Sequence, residues 1–321
     1  MFLNYIANVL PELDVEGVKQ TTIEELMKEI LGEDVRIEDA DEKLMQIIET
    51  GDKQKDKKEV EISKTISKLK SSMDYKNGIN RFLEELANGN IGSREFVFEG
   101  ISITEADKIK SMFYEDFKEY PENKKVENIT TRILGDINRK KEMIEENIRE
   151  EFSKKGEELL SRYKDGQINK EEFEKGKQRL YNEREKRIKS INSNCKKQIK
   201  KYLQQPEKSK SIVEYYKEFV YDSKKYSEYM GGGSCDNSLV EATRNHAKNL
   251  LSKNNIEIED FAALMYLKSK LHGIGDIAKM KHVVVDEAQD LGTFQYWVLN
   301  EIMKDVTFTV LGDIAQGIFE F

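Results

Sequence analysis

Apolar residues fall at helical spacing over most of this chain, and give way to short β-type runs in only a few places. Phe2, Tyr5, Ile6, Val9 and Leu10 share one face of a short helix over 2–10, which Pro11 and Gly17 bring to an end. Residues 18–21 read as an edge strand that leads to a cap at Thr22. A helix over 22–31 then turns Ile23, Leu26, Met27 and Ile30 inward. Charged helices fill roughly 40–90, with a solvated hinge at 51–58. The stretch 95–103 (EFVFEGISI) alternates well enough to predict a hairpin, and Thr104-Glu105-Ala106-Asp107 resembles a helix-capping motif. Beyond residue 237 the chain returns to helix, first from 238 and then around Phe261. Two strands are predicted near 282–286 and 306–311.

The longest regular pattern spans 133–205. Ile137, Ile144, Ile148, Phe152, Leu159 and Tyr163 follow steps of seven and four. Phe173, Leu180, Ile188, Ile191, Cys195, Ile199 and Tyr202 continue at helical spacing, in steps of seven or eight and three or four, after a turn at Lys164-Asp165-Gly166-Gln167 and a cap at Asn169. Two facing seams joined by a short turn predict an antiparallel coiled-coil hairpin, with helices near 134–164 and 170–204. At 1.5 Å per residue each arm would reach about 45 Å. Two core helices of an ordinary bundle are the alternative. Tyr215, Tyr216, Phe219, Tyr221, Tyr226 and Tyr229 also keep helical spacing, which favours a packing face over a binding platform. Gly231-Gly232-Gly233-Ser234 reads as a flexible connection.

Composition sharpens this picture. Charged residues make up 36% of 321 positions and proline only 3, which favours long helices with much surface. Between 175 and 210 lie 13 lysines and arginines against three acids, in a chain whose net charge is −8. A basic face of that kind meets nucleic-acid phosphates or an acidic protein groove, although a solvated helix face gives the same composition. The two cysteines, Cys195 and Cys235, and the 3 histidines stand in no disulfide-framework or zinc-ligand spacing. No apolar run approaches the length of a membrane span and the N-terminus is no signal peptide, so a cytoplasmic protein that does not engage membranes is expected.

The chemistry concentrates in His282-Val283-Val284-Val285-Asp286-Glu287-Ala288-Gln289-Asp290 and in Val306-Thr307-Phe308-Thr309-Val310-Leu311-Gly312-Asp313-Ile314-Ala315-Gln316. Each is an apolar run that stops at acids, as a buried parallel strand does when it delivers carboxylates to a sheet edge, where open α/β sheets bind ligands. Asp286 beside Glu287 suits a nucleotide site, in which one carboxylate holds Mg2+ and its neighbour orients or deprotonates a water. Gln316 is placed to report on a terminal phosphate. A strand that merely ends in a solvated turn is the alternative.

These residues carry a resemblance. Val-Val-Asp-Glu-Ala-Gln-Asp resembles motif II of the UvrD/Rep-type superfamily 1 helicases, and Leu-Gly-Asp-Ile-Ala-Gln-Gly-Ile-Phe resembles their motif III. Residues 259–267 (EDFAALMYL) resemble the helix that precedes motif II in the helicase IV-like branch. Residues 2–13, with Gln20-Thr21-Thr22, resemble the stretch just after motif Ia there, and RNA polymerase-associated HelD-type proteins look nearest. The resemblance implies ATP and Mg2+ as cofactors and DNA as partner. It gives Asp286 to the metal, Glu287 to water activation and Gln316 to sensing the γ-phosphate. Gln289 and Asp290 complete motif II, and Gly312 and Asp313 open motif III at the nucleotide. Phe319 takes the place of a motif III tyrosine, and Phe321 that of an aromatic which stacks on a base. Two positions depart from the pattern: Gly317 replaces the usual serine, and Glu320 stands where a basic residue is common.

No Gly-x-x-x-x-Gly-Lys-[Ser/Thr] occurs in the sequence. The expectation is therefore an internal piece of a longer helicase, one that does not hydrolyse ATP alone. Its fold is predicted as α/β with a dominant helical part: an incomplete RecA-like (P-loop NTPase) parallel sheet interrupted by a large helical insertion. Residues 1–35 and 238–321 form the RecA-like part and 36–237 a domain 1B-like insertion, with the coiled-coil arm at 133–205. The function expected is a DNA helicase or translocase. A HelD-type ATPase that remodels RNA polymerase, or a purely rigid spacer in the middle, are the other readings.

Overall fold

Local chemistry sets the first helix of the described residues. The Thr22 hydroxyl accepts the Glu25 N–H at 3.1 Å while Glu25 accepts the Thr22 N–H at 3.2 Å, a reciprocal cap that starts α1 (Ile23–Leu31). The computed structural model describes residues 18–32, 36–38, 53–89, 95–203, 210–231, 236–275, 280–303 and 306–313. The helix predicted over 2–10, Cys235 and most of the glycine-rich link lie outside these residues. After α1 come β1 (Arg36–Glu38), α2 (Lys53–Lys70), α3 (Met73–Gly89), β2 (Phe96–Phe98), β3 (Ile101–Thr104), α4 (Ala106–Ser111), α5 (Glu122–Arg139), α6 (Lys141–Lys164), α7 (Lys170–Lys189) and α8 (Ile191–Tyr202). The chain continues through α9 (Ile212–Tyr221), α10 (Ser223–Met230), α11 (Asn237–Ser252), β4 (Asn255–Glu257), α12 (Phe261–Leu271), β5 (His282–Val285), α13 (Thr293–Ile302) and β6 (Thr307–Val310).

Two compact units result, one from residues up to 83 and from 210 onward, the other from 84–209. The described elements of 36–83 and 210–237 group with the first unit. Residues 18–21 form no strand, and the hinge expected at 51–58 is helical from Lys53 onward.

In the first unit, α12 is apolar on every side and Phe261 through Leu267 are all buried. Helices of this kind occupy the middle of a core, and α1, α9 and α13 pack around this one. The aromatic stretch is a packing face as expected: Tyr216, Phe219, Tyr226 and Tyr229 are buried, and Phe219 lies 5.1–6.2 Å from each of their ring centroids. The parallel sheet takes the form of two separate parallel pairs among the described residues, β1 with β4 and β5 with β6.

This core also holds charge. Lys70, at the end of α2, is fully buried, and its ammonium donates to Glu257 Oε1 at 2.5 Å and Asp260 Oδ1 at 2.7 Å. Tyr216 donates its hydroxyl to Asp260 Oδ1 at 2.6 Å, and Tyr75 Oη lies 2.8 Å from Tyr216 Oη. His246 Nε2 sits 3.0 Å from Glu257 Oε2, and Asp260 Oδ2 accepts the Glu257 N–H at 3.1 Å. Burial opposes the ammonium charge, but the adjacent Asp260 and Glu257 carboxylates outweigh it and hold Lys70 protonated well above its ordinary range. Burial, reinforced by the Asp260 charge, pushes Tyr75 and Tyr216 up as well.

The second unit is built on a hairpin. β2 and β3 pair antiparallel through Glu99 and Gly100, both at positive φ, which matches the two-residue turn that follows strand twist. Phe96 and Phe98 point into a core that gathers Ile133, Ile137, Ile144, Ile148, Phe152, Ile191, Cys195 and Ile199. Burial pushes the Cys195 thiol up to about 11. The predicted cap at Thr104 does not form: Thr104 ends β3, its hydroxyl faces Asp136 Oδ2 at 3.3 Å, and α4 starts without a side-chain cap.

Helices α6 and α7 run antiparallel around the turn at Asp165 and Gly166. Tyr163 stacks on Phe173 at 4.8 Å, Gly176 abuts Leu159, and Arg187 pairs with Glu151. Two details differ from the predicted arm. The helices expected over 134–164 and 170–204 are each broken, at Lys140 and at Ser190, where φ and ψ near −99°, 11° and −94°, 6° leave helical geometry. The seam also divides. Ile144, Ile148, Phe152, Ile191 and Cys195 are buried with the β2–β3 hairpin, whereas Ile188, Leu159, Phe173 and Leu180 are only half-buried. The base of the hairpin is thus part of a larger core, and its outer half is two helices alone.

Replacing Ile148 by Asp places a charge in the base core, at a cost of roughly 3–5 kcal/mol or more. Hydrogen exchange should show 96–203 losing protection while 282–311 keeps it. Unchanged protection over 96–203 would contradict the core described for this unit.

Candidate functional site

β5 and β6 pair in parallel with His282 opposite Thr307, Val283 opposite Phe308, Val284 opposite Thr309 and Val285 opposite Val310. The pairing continues past both strands: Leu311 N–H donates to Val285 O at 2.8 Å and Ala288 N–H to Leu311 O at 2.9 Å. The two acidic ends predicted from sequence therefore meet. The strands are not the fully buried ones expected, since Val284, Val310 and Leu311 are 58%, 53% and 50% exposed. A two-stranded ribbon has two faces, and only Val283, Val285 and Phe308 are half-covered.

At the end of β5 the backbone turns sharply. Asp286 is exposed, and its Oδ1 accepts the Glu287 N–H at 3.0 Å. Glu287 adopts φ 49° and ψ 40°, the left-handed region that non-glycine residues rarely occupy. Such a residue costs on the order of 1–3 kcal/mol and persists where its surroundings over-determine it, typically at functional sites. Here Asp290 N–H returns to Glu287 O at 3.0 Å, and Tyr296 Oη donates to Ala288 O at 2.8 Å.

Gln289 joins the two strand ends. Buried in the short 3-10 turn Ala288–Asp290, it donates through Nε2 to Glu287 Oε2 at 2.6 Å. Its Oε1 accepts the Asp313 N–H at 2.9 Å. Gly312 passes so near that a Cβ there would lie 2.6 Å from Gln289 Oε1 and 3.2 Å from Gln289 N. A side chain at 312 would displace the Gln289 amide from the bridge and crowd the backbone of the turn, so glycine suits this position.

Of the residues predicted for this site, Asp286, Glu287, Gln289, Gly312 and Asp313 come together, and Asp290 stands exposed on the same turn. Gln316, Phe319 and Phe321 lie outside the described residues. Sequence reasoning missed the left-handed Glu287, for which Asp-Glu-Ala-Gln gives no signal. It also missed Ser71, whose carbonyl accepts the Phe294 N–H at 2.9 Å just beyond the turn. No helix of the described residues is long and apolar enough to cross a membrane.

Replacing Gln289 by Leu removes the bridge and leaves the buried end of the turn without its donor and acceptor. The expected loss is about 1–3 kcal/mol, together with faster exchange of the Asp313 amide. Retention of both stability and Asp313 protection would show that the bridge does not hold the strand ends.

The chain was compared with known proteins on this footing. No curated protein sequence matches it. The model of the UvrD/REP helicase N-terminal domain matches residues 6–321, nearly the whole sequence and the carboxylate turn with it. The chain belongs to the UvrD/REP helicase N-terminal domain family.

Proposed function

We propose that the turn between β5 and β6 is the hydrolytic end of an ATP site in a DNA helicase or translocase, with Asp286–Asp290 as motif II and the segment from Leu311 as motif III. The observation that carries this reading is the Gln289 bridge, which fixes Glu287 against the end of the second strand at Asp313. The parallel pairing that brings both acidic ends to one edge is the arrangement a RecA-like domain requires.

The donor set suits Mg2+. This ion commonly takes one or two carboxylates and completes its octahedron with water and phosphate oxygens, so the single exposed Asp286 carboxylate is a sufficient protein ligand. When bound, the ion would neutralise charge on the phosphoryl oxygens. Glu287 accepts a proton from the attacking water, and the Gln289 amide keeps its carboxylate in place for that task. Gly312 and Asp313 stand at the nucleotide edge. Gln316 senses the terminal phosphate, and Phe319 and Phe321 meet DNA bases; these three roles rest on the resemblance. With no Gly-x-x-x-x-Gly-Lys-[Ser/Thr] in these 321 residues, most phosphate contacts are lacking and ATP turnover by this chain alone is not expected.

A second surface supports DNA as partner. Lys186, Lys189, Lys196, Lys197, Lys200 and Lys201 are exposed and have no carboxylate partner among the described residues. Nearby cations are neutralised instead: Lys155 by Glu151, Lys175 by Glu171 and Arg187 by Glu99 and Glu151. The opposite face of α8, with Ile191, Cys195 and Ile199, is buried in the core of its unit, so Lys196, Lys197, Lys200 and Lys201 stand on a fixed helix. A phosphate backbone matches that row of unpaired charges. No feature among the described residues favours RNA polymerase over DNA.

Two measurements test the reading. Mn2+, as a paramagnetic stand-in for Mg2+, should broaden the amide signals of residues 286–288, and Asp286→Asn should abolish the effect. DNA affinity should fall by about 0.9 logarithmic units per phosphate contact for each tenfold rise in salt, and reversing Lys196, Lys197, Lys200 and Lys201 to Glu should flatten that slope by up to about 3.6 units. Absence of Mn2+ broadening would remove the metal role from Asp286, and an unchanged slope would leave the basic face as solvated surface.

A further inference from the structure

The turn that carries Asp286 and Glu287 rests on a corner of the chain far from it in sequence. α2 ends at Lys70 and α3 starts at Met73, with a turn at Ser71 and Ser72 between them. Lys70 faces one way, into the buried pair Glu257 and Asp260. Ser71 faces the other. Its carbonyl accepts the Phe294 N–H at 2.9 Å, and a Cβ added to Gly292 would stand 2.3 Å from Ser71 Cβ and 3.1 Å from Ser71 O. Among the described residues the buried Ser71 hydroxyl has no hydrogen-bond partner, and the side chain packs against Gly292. A second path leads to the same place. Asp260 immediately precedes α12, whose Tyr266 meets Phe294 at 6.1 Å and Trp297 at 5.1 Å, both on α13. From α13, Tyr296 reaches back to Ala288 O, inside the turn.

We infer that Ser71 is a positioning residue for the Asp286–Glu287 pair, and that the Lys70–Glu257–Asp260 cluster is the anchor that holds Ser71 still. The left-handed Glu287 needs constraints from both of its ends. β5 and the Leu311 carbonyl supply one, and the contact of Gly292 with Ser71 supplies the other. The Lys70 side chain cannot move without leaving two buried carboxylates without their cation, so its neighbour in sequence inherits its immobility. The role as a positioning residue for hydrolysis rests on the nucleotide-site reading above; the mechanical link does not.

The test uses the full chain and three variants: Gly292→Ala, Ser71→Gly, and the two combined. The methyl of Gly292→Ala meets Ser71 Cβ, and Ser71→Gly removes that obstacle. In Gly292→Ala, amide exchange at Ala288, Asp290 and Leu291 should quicken about tenfold or more, while 256–271 stays as protected as before. The double variant should return exchange to within about threefold of the original. Mn2+ broadening at 286–288 should weaken in Gly292→Ala and recover in the double variant, a rescue that general loss of stability would not produce. Unchanged exchange in Gly292→Ala, loss spread evenly over 256–271, or no rescue in the double variant would each overturn the inference. If Mn2+ broadens nothing even in the original chain, the metal reading fails, and the exchange data still decide whether Ser71 seats the turn.

Discussion

A lysine buried to the last atom constrains everything around it, and in this chain that lysine is Lys70. An isolated ammonium in a protein interior costs several kcal/mol, so its carboxylate partners must arrive with good geometry or the core does not close. Glu257 comes from the short strand β4, Asp260 from the 3-10 turn after it, Tyr216 from α9 and Tyr75 from α3. The cluster thereby specifies which helices meet and in which register. It also fixes the start of α12, the apolar helix about which the first unit is packed.

What the first unit presents at its edge follows from that rigidity. The β5–β6 ribbon is short and open on one face, and does little alone to hold a strained turn. Order at Glu287 comes from elsewhere: Gln289 tying the strand ends, Tyr296 on the Ala288 carbonyl, Gly292 against Ser71. The turn lies within the residues that the UvrD/REP helicase N-terminal domain family matches. The second unit follows a different plan, a β-hairpin with a helical pair whose base is buried and whose outer half is exposed.

Much of this was legible in the sequence, and the reasons are local. Apolar runs that stop at acids marked β5 and β6. Alternation around a glycine marked β2 and β3, and Thr22 with Glu25 marked the start of α1. Asp286, Glu287, Gln289, Gly312 and Asp313 come together because two paired strand ends place them. Long-range features were not legible. Lys70 lies in a charged helix and reads as solvated; its partners are 187 and 190 residues away. The heptad spacing runs unbroken through Lys140 and Ser190, where the helices end, because contacts with the β2–β3 hairpin are absent from a one-dimensional pattern; the Lys140 ammonium, for instance, bonds Ser102 O at 2.7 Å.

The claim that a closed, charged cluster organises the first unit has a direct spectroscopic test. Tyr75, Tyr216 and Tyr226 are held protonated above the ordinary tyrosine range by burial first, and by neighbouring charge after it. The unfolded chain gives up its phenolic protons near pH 10, so folded stability falls as the pH rises past that point. Lys70, held charged in the folded state, adds a loss of the same sign as the unfolded lysines begin to deprotonate. Following tyrosinate absorbance with pH, alongside circular dichroism, should show three of the 14 tyrosines ionising only as the helices melt. Ionisation of all 14 near pH 10 in a chain that remains folded would mean that the cluster is open to water, and that Lys70 does not organise this core.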